Sequence, residues 1–588
     1  MTRPAARFTF ATAGALVALL AVSSCVPAPA PTPTATTAPS TAPCEGSDGV
    51  GGTVPAGLGP GDIVSAVDLT GASASSPGFP TDARVWRMLY VTTGVDETDL
   101  QLVCGMVAAP AAGPKLFGSS GRMLNWSHGT VGIDQDCMPS TDPAAGFWAA
   151  MPGGINTIAW GSELGKHEGD PAGGLLQYAI NEGMLVSATD YQPDSTYVVG
   201  KMEASAVLDA ARAATQLMST TFADVAPTAY DAIIWGHSQG GHAALWAGQL
   251  AESYLAGTTP SKPTAGITLV GVAALAPASN FITLPEQPGV APGDGLADWE
   301  MHKNVGLDLP IKSVQMQIGP ALFSYIFGAW DTLAGGRAPA SDAQFPAFPV
   351  NVAPVDLSTI ATAEPGAQTV KDVSALCLTA SQAKLVRTAV ELYDDAKTNQ
   401  MLVPPIWNLP ADYTTGQYFK GGLDTTCAST TDQAMVAWCD WMRWNLPGPL
   451  GTNPFPKAPI VNGEPVPLLI AQGTNDDVIH CQPGSTTAKN AVPDAADCMS
   501  RALFESLKSD VYCPATGVKG YLELRAVPPS GLDGIVSPGT HLSIPGEISA
   551  RAIGDAASDL VFEGSPLQTF MSAAFNKTTE PGCVATIG

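Results

Sequence analysis

The sequence predicts an α/β fold: a mostly parallel central sheet with helices on both faces and an inserted, mainly helical cap. Three observations lead there. From about Gly49 onward, short apolar runs alternate with helix-like patterns, the signature of parallel strands covered by helices. A G-x-S-x-G element, Gly236-His-Ser-Gln-Gly240, falls between one such run and an Ala-rich helical stretch. The alternation lapses between roughly Asn280 and Pro465 and resumes at Val466, which reads as an insertion in one sheet and argues against a separate domain beginning near Asn280. Composition agrees. Of 588 residues, 45% are hydrophobic and 14% charged, which suits a large core and excludes a disordered or coiled-coil chain.

Taken in chain order, residues 1–24 read as a secretory signal of the lipoprotein type. Arg3 and Arg7 precede an apolar run from about Ala11 to Val22 that is too short to span a bilayer. Val22-Ser-Ser-Cys25 resembles a bacterial lipobox, in which Cys25 would be acylated and anchor the protein to a membrane; ordinary signal cleavage with release is the alternative. Residues 25–48 form an expected tether. Positions 26–43 hold only Val, Pro, Ala, Thr and Ser, a composition that stays extended and would reach roughly 56 Å at ~3.1 Å per residue. Setting Cys25 aside leaves ten of the eleven cysteines, an even number with no zinc-like spacing, as disulfides in an oxidising compartment require. Proximity in sequence suggests Cys427 with Cys439, and Cys481 with Cys498 or Cys513.

The first part of the core, residues 49–279, has strand candidates at Val85–Thr93, Leu100–Ala108, Arg122–Trp126, Met184–Ala188, Ala232–Trp235 and Leu269–Leu275. The second part, 466–588, adds Val466–Gln472 and Tyr521–Val527. Glu203–Met218 carries a one-sided apolar face, and Gly240–Leu255 is apolar almost all round, as a helix buried on a sheet would be. The cap expected over 280–465 contains Ile318, Leu322, Phe323, Ile326, Phe327 and Trp330 at helical spacing. That stripe either packs the cap onto the sheet or lines a binding tunnel, with Phe323 and Phe327 as its candidate contacts.

The chemistry centres on Ser238. A strand, a sharp turn with Gly at its crowded points and a following helix together present a nucleophilic serine. An activated serine needs a base, and the base needs a carboxylate. Among the downstream histidines, His541 lies in a loop after the last strand candidate and is preferred. His242 reads as a packed helix residue, His302 belongs to the cap, and His480 competes. The acid falls in Gly473-Thr-Asn-Asp476-Asp477-Val-Ile, after Val466–Gln472; Asp476 fits the spacing better, with Asp477 left open. Backbone N–H groups of Gln239 and of Thr130, in Ser127-His-Gly-Thr-Val-Gly132, are the expected oxyanion donors.

Other chemistries are excluded. His167-Glu168 begins like a zinc-protease helix, but Pro171 stands where the second His is required. No phosphate-binding G-x-x-x-x-G-K-[ST] is present, and neither a cofactor nor a metal is expected. With 27 Lys and Arg against 53 Asp and Glu, the net charge is -26, which repels nucleic acid. No obligate protein partner is evident.

Ser127-His-Gly-Thr-Val-Gly132 with Asp136-Cys-Met-Pro-Ser140, Asp190-Tyr191, Gly236-His-Ser-Gln-Gly-Gly241 and Ala273-Ala-Leu-Ala-Pro277 together resemble the secretory lipase family, the fungal lipase A-like group and its actinobacterial relatives. The likeness runs over roughly residues 80–580. It implies an α/β-hydrolase fold, a lipid or ester substrate such as an acylglycerol, and Ser238, Asp476 and His541 as a triad. Met138 stands where the family has Ala. The Pro/Thr tether and the long C-terminal part are not accounted for by the family. An exported peptidase of the same fold, or a non-catalytic surface binding protein, are the competing readings.

Overall fold

A computed structural model describes residues 44, 49–70, 80, 82–94, 98–141, 174–279, 325–326, 329–330, 333, 440–474, 476, 479, 499–527, 539, 541, 544–549, 551–552, 560–562 and 564–587. Ten strands form the path of one sheet: β1 (Ile63–Asp68), β2 (Ala83–Thr93), β3 (Leu100–Pro110), β4 (Ser120–Ser127), β5 (Leu185–Thr189), β6 (Ala229–His237), β7 (Gly266–Leu275), β8 (Leu468–Gly473), β9 (Tyr521–Val527) and β10 (Gly582–Ile587). Their order is β1-β2-β3-β5-β4-β6-β7-β8-β9-β10. The first three pairings are antiparallel; from β5 onward every pairing along the path is parallel. The swap of β4 and β5, with β2 and β3 antiparallel at one side, is the α/β-hydrolase arrangement. Leu468 of β8 lies opposite Val272 of β7, so the chain leaves the sheet after Leu275 and re-enters it beside the same strand.

Helices cover both faces. The helices α2 (Gly200–Thr221), α3 (Gln239–Gly257) and α4 (Met499–Leu507) pack Val207, Leu245, Leu250 and Leu503 into one apolar layer. On the other face α1 (Gly174–Glu182), α5 (Ile544–Ser549) and α6 (Pro566–Phe575) supply Leu176, Ile180, Ile548, Leu567 and Phe570. The central strands β5, β6 and β8 are almost wholly buried, which is why they read as continuous apolar runs. Among the described residues no helix is long and apolar enough to cross a membrane.

The one-sided face expected for Glu203–Met218 is only part of the picture, because α2 is buried all the way round as far as Met218. Its polar residues are enclosed by their own partners. Asp209 accepts from Thr92 Oγ1 (2.9 Å), Tyr254 Oη (2.6 Å) and Arg212 (3.1 Å), and burial pushes its carboxyl up to about 6 despite the adjacent guanidinium. Of the apolar stripe, Ile326 and Trp330 are described, and with their neighbours Tyr325, Ala329 and Leu333 they belong to the same buried layer as α2 and α3. Trp330 donates its indole N–H to Tyr197 O at 2.9 Å. Phe323 and Phe327 lie outside the described residues.

Two disulfides are described, Cys44–Cys104 and Cys513–Cys583, and Cys137 is also disulfide-bonded. Cys44, within the expected tether, is thus fixed to β3. The suggested partnership of Cys513 with Cys481 is corrected: the neighbour that matters is spatial, because β10 lies parallel to β9 and carries Cys583 opposite Leu522.

Asp62 locks the sheet's first edge to the turn before β7. It accepts from the backbone N–H groups of Gly59 (2.8 Å), Ser261 (2.8 Å) and Lys262 (2.9 Å), from Gln216 Nε2 (3.0 Å) and from the Ser261 hydroxyl. Burial alone would raise this carboxyl; the donors from Gly59, Ser261, Lys262 and Gln216 outweigh it and hold it below its ordinary range. A depressed folded value means stabilisation that is full above the unfolded value and lost as pH falls through the folded one. Asp62→Asn is expected to cost about 1–3 kcal/mol at neutral pH. Urea melts at descending pH should show the gap between variant and parent closing through the carboxylate range.

Candidate active site

The sheet's carboxyl edge brings four segments together. At the end of β6 the chain reverses within one residue: Ser238 has φ 59 and ψ -120, and Gln239 opens α3. A non-glycine residue at positive φ costs on the order of 1–3 kcal/mol and persists where the surroundings enforce it. Here the Ser238 N–H donates to Leu275 O at 2.9 Å, and its carbonyl accepts from His242 N at 3.1 Å. Glycine is required on both sides. A Cβ on Gly236 would overlap the carbonyl of Gly240, and one on Gly240 would overlap the carbonyl oxygens of Ser127 and His128. The turn therefore sits directly against the loop that follows β4. Ser238 itself is half-buried between buried neighbours.

The loops after β8 and β9 deliver an acid and a histidine. His541 Nδ1 lies 3.0 Å from Asp476 Oδ2. Asp476 also accepts from Gln472 Nε2 at 2.7 Å and from Ile479 N at 2.8 Å, so both its oxygens are held as acceptors. A carboxylate in that role leaves the proton of His541 on Nδ1 and the lone pair on Nε2. Gln472 is fixed in turn through its amide oxygen by the Ser500 hydroxyl. The His541 segment is further pinned where Gly539 N donates to Glu547 Oε2 at 2.8 Å. A Cβ on Gly473 would collide with the Gly539 carbonyl, so this close approach of β8 also needs glycine.

The third group is the loop after β4. Thr130 is buried and its hydroxyl lies 2.9 Å from Tyr197 Oη. Tyr191 donates its hydroxyl to His128 O at 3.1 Å. Asp190 accepts from Ser140 through both N–H (3.0 Å) and hydroxyl (2.5 Å), and burial raises its carboxyl to about 6 in spite of those donors. The Asp136–Ser140 and Asp190-Tyr191 motifs, fifty residues apart, thus meet at one hydrogen-bonded pair.

Beneath the turn lies a fully buried pair that sequence reasoning missed. Glu203 Oε2 is 2.6 Å from His242 Nδ1, while Glu203 Oε1 accepts from Gln239 Nε2 (3.0 Å) and from Val198 N (2.9 Å). His242 Nε2 faces Asn445 O at 2.9 Å. The Gln239 side chain is therefore turned into the fold, which leaves its backbone as the part available at the edge; as the first residue of α3, its N–H has no intrahelical acceptor. Glu203 read in the sequence only as the start of an amphipathic helix. No periodicity signals a buried charge.

Ser238, Gln239, Thr130, Asp476 and His541 are all described, with Asp476 and His541 in direct contact and the Thr130 loop against the serine turn. Cys25, His302, Asp477 and His480 lie outside the described residues. Among the described residues, no group of His, Cys, Asp and Glu could hold a metal ion.

Residues 174–287 match the sequence model of the secretory lipase family. The match covers the segment that carries the elbow. It spans α1, β5, α2, β6, the Ser238 turn, α3 and β7. Together with the α/β-hydrolase sheet order, the match supports a hydrolase of the lipase and esterase type, and the disulfides suit an extracellular protein. No curated protein matches the sequence. Among solved structures, Candida antarctica lipase A in its closed state aligns over 91% of this chain and 87% of its own at 15% identity, with a TM-score of 0.48. The rice cell wall degrading esterase LipA from Xanthomonas oryzae aligns over 71% and 84% at 18% identity and a TM-score of 0.40.

Proposed function

We propose that this protein is a secreted or surface-tethered serine carboxylester hydrolase that cleaves acyl esters such as acylglycerols through an acyl-enzyme. The observation that carries this reading is the strained Ser238 turn on the same sheet edge as the Asp476–His541 pair. Ser238 Oγ attacks the ester carbonyl while His541 Nε2 takes its proton, and Asp476 steadies the imidazolium that forms. The N–H groups of Gln239 and Thr130 receive the developing oxyanion. His541 then hands the proton to the leaving alkoxide, the alcohol departs, and water repeats the sequence on the acyl-enzyme. No cofactor takes part. In this reading residues 280–465 are the cap, and Phe323 and Phe327 are its candidate acyl-chain contacts, the alternative being that their stripe packs the cap onto the sheet.

A series of p-nitrophenyl esters from acetate to decanoate, run beside an aminoacyl p-nitroanilide, tests this reading. Ester hydrolysis with a fluorophosphonate label on the Ser238 peptide is the expected result. Faster anilide cleavage would make the protein a peptidase; no turnover and no label would leave a binding protein on a hydrolase scaffold.

The anchor is tested separately. Intact-mass analysis of the mature N-terminus should find diacyl or triacyl Cys25, since a single chain holds a protein to a membrane only marginally. An unmodified N-terminus at another residue would mean release from the cell.

A further inference from the structure

We propose that His237, the residue immediately before Ser238, is a positioning residue that clamps the backbone of His541. The inference rests on the reading of His541 as the base. His237 Nε2 lies 2.9 Å from His541 O. A backbone carbonyl only accepts, so Nε2 carries the proton and donates it. Both residues are buried. Burial first, then the neighbouring His541, hold the His237 ring well below its ordinary pKa, against the opposing pull of the bond to the His541 carbonyl; the ring is neutral and Nδ1 is bare. The two imidazoles stand 4.6 Å apart at an interplanar angle of 40°.

This contact has a purpose that the Asp476 bond does not serve. Asp476 fixes the direction of the His541 ring through Nδ1, and Glu547 holds Gly539 two residues earlier; neither bond is made to the main chain of His541 itself. His237 holds that backbone. Because it is covalently joined to Ser238 at the end of β6, base and nucleophile are tied through one side chain instead of through two loops. Serine-to-histidine proton transfer depends steeply on that distance. The neutral ring also suits its place, since a Lys or Arg could donate to the same carbonyl but would oppose the imidazolium that His541 becomes.

The test compares His237→Gln, His237→Asn and His237→Phe in the full-length protein on a p-nitrophenyl ester, with competent sites counted by fluorophosphonate end-point titration. Gln places an amide N–H near the position of Nε2 and should keep kcat within about threefold. Asn carries the same amide too short to reach, and Phe keeps a ring without a donor; each should lose about 10- to 100-fold in kcat with KM within about twofold. His541 does not bind the ground-state substrate, so loss confined to kcat marks a transition-state defect. Parent-like kcat in Phe or Asn overturns the proposal, as does Gln falling as far as Phe, or a loss that appears in KM or in the count of competent sites alone. Ser238→Ala in the same assay separates the two readings: an active Ser238→Ala sinks the triad itself, whereas an inactive one beside a fully active His237→Phe sinks only the clamp.

Discussion

Ser238→Ala is expected to lower ester turnover by on the order of 10⁴ to 10⁶ while leaving the fold intact, the usual consequence of removing a triad nucleophile. The side chain is small and half-buried, and the turn is held by backbone bonds to Leu275 and His242, so Ala loses the hydroxyl and little else. It keeps the positive φ at a similar cost. Binding should survive, and KM should change far less than kcat. A folded variant with more than a few per cent of parental turnover would remove Ser238 from the mechanism.

The second large effect belongs to the base. His541→Ala should come close to Ser238→Ala, because residues acting as one unit do not lose rate additively. The double variant should be hardly slower than either single one. Asp476→Asn should cost about 10⁴ in kcat. An amide cannot fill a position where Gln472 Nε2, Ile479 N and His541 Nδ1 all require an acceptor, so His541 would be driven toward the wrong tautomer. His480→Ala should do far less. The reverse ranking of the two histidines, measured on one ester, would show that the base had been misassigned.

How much of this was legible beforehand depended on burial. β6 and β8 are enclosed on both faces and read directly as apolar runs, whereas β9 reads as an alternating strand with Leu522, Leu524 and Ala526 buried; Tyr521–Val527 has the same limits in sequence and structure. β1, with its alternating half-exposed residues, and β10 at the far edge offered no such run and were missed. The serine turn was readable because its glycines answer to steric demands that leave no other residue type. The loops carrying Asp476 and His541 were placed by their position after strands. The Glu203–His242 pair and the His237 contact were invisible, since each joins residues whose partner is decided by packing: Glu203 meets His242 across two helices, and His237 meets a backbone carbonyl, a group every residue possesses.

The Cys513–Cys583 bond has a consequence for durability against proteases. Its sequence separation is 70, and the enclosed segment contains His541. Closing a loop of that size restricts the unfolded chain by about 4 kcal/mol in the loop-entropy account. The covalent result is simpler. A protease that cuts once anywhere between the two cysteines produces two chains that remain joined, with β9 and β10 still paired and each half of the broken segment still anchored beside the sheet. Such a nicked molecule would run as one species until reduced. The disulfide thus turns the section of chain that supplies the histidine into one that a single cleavage cannot shed.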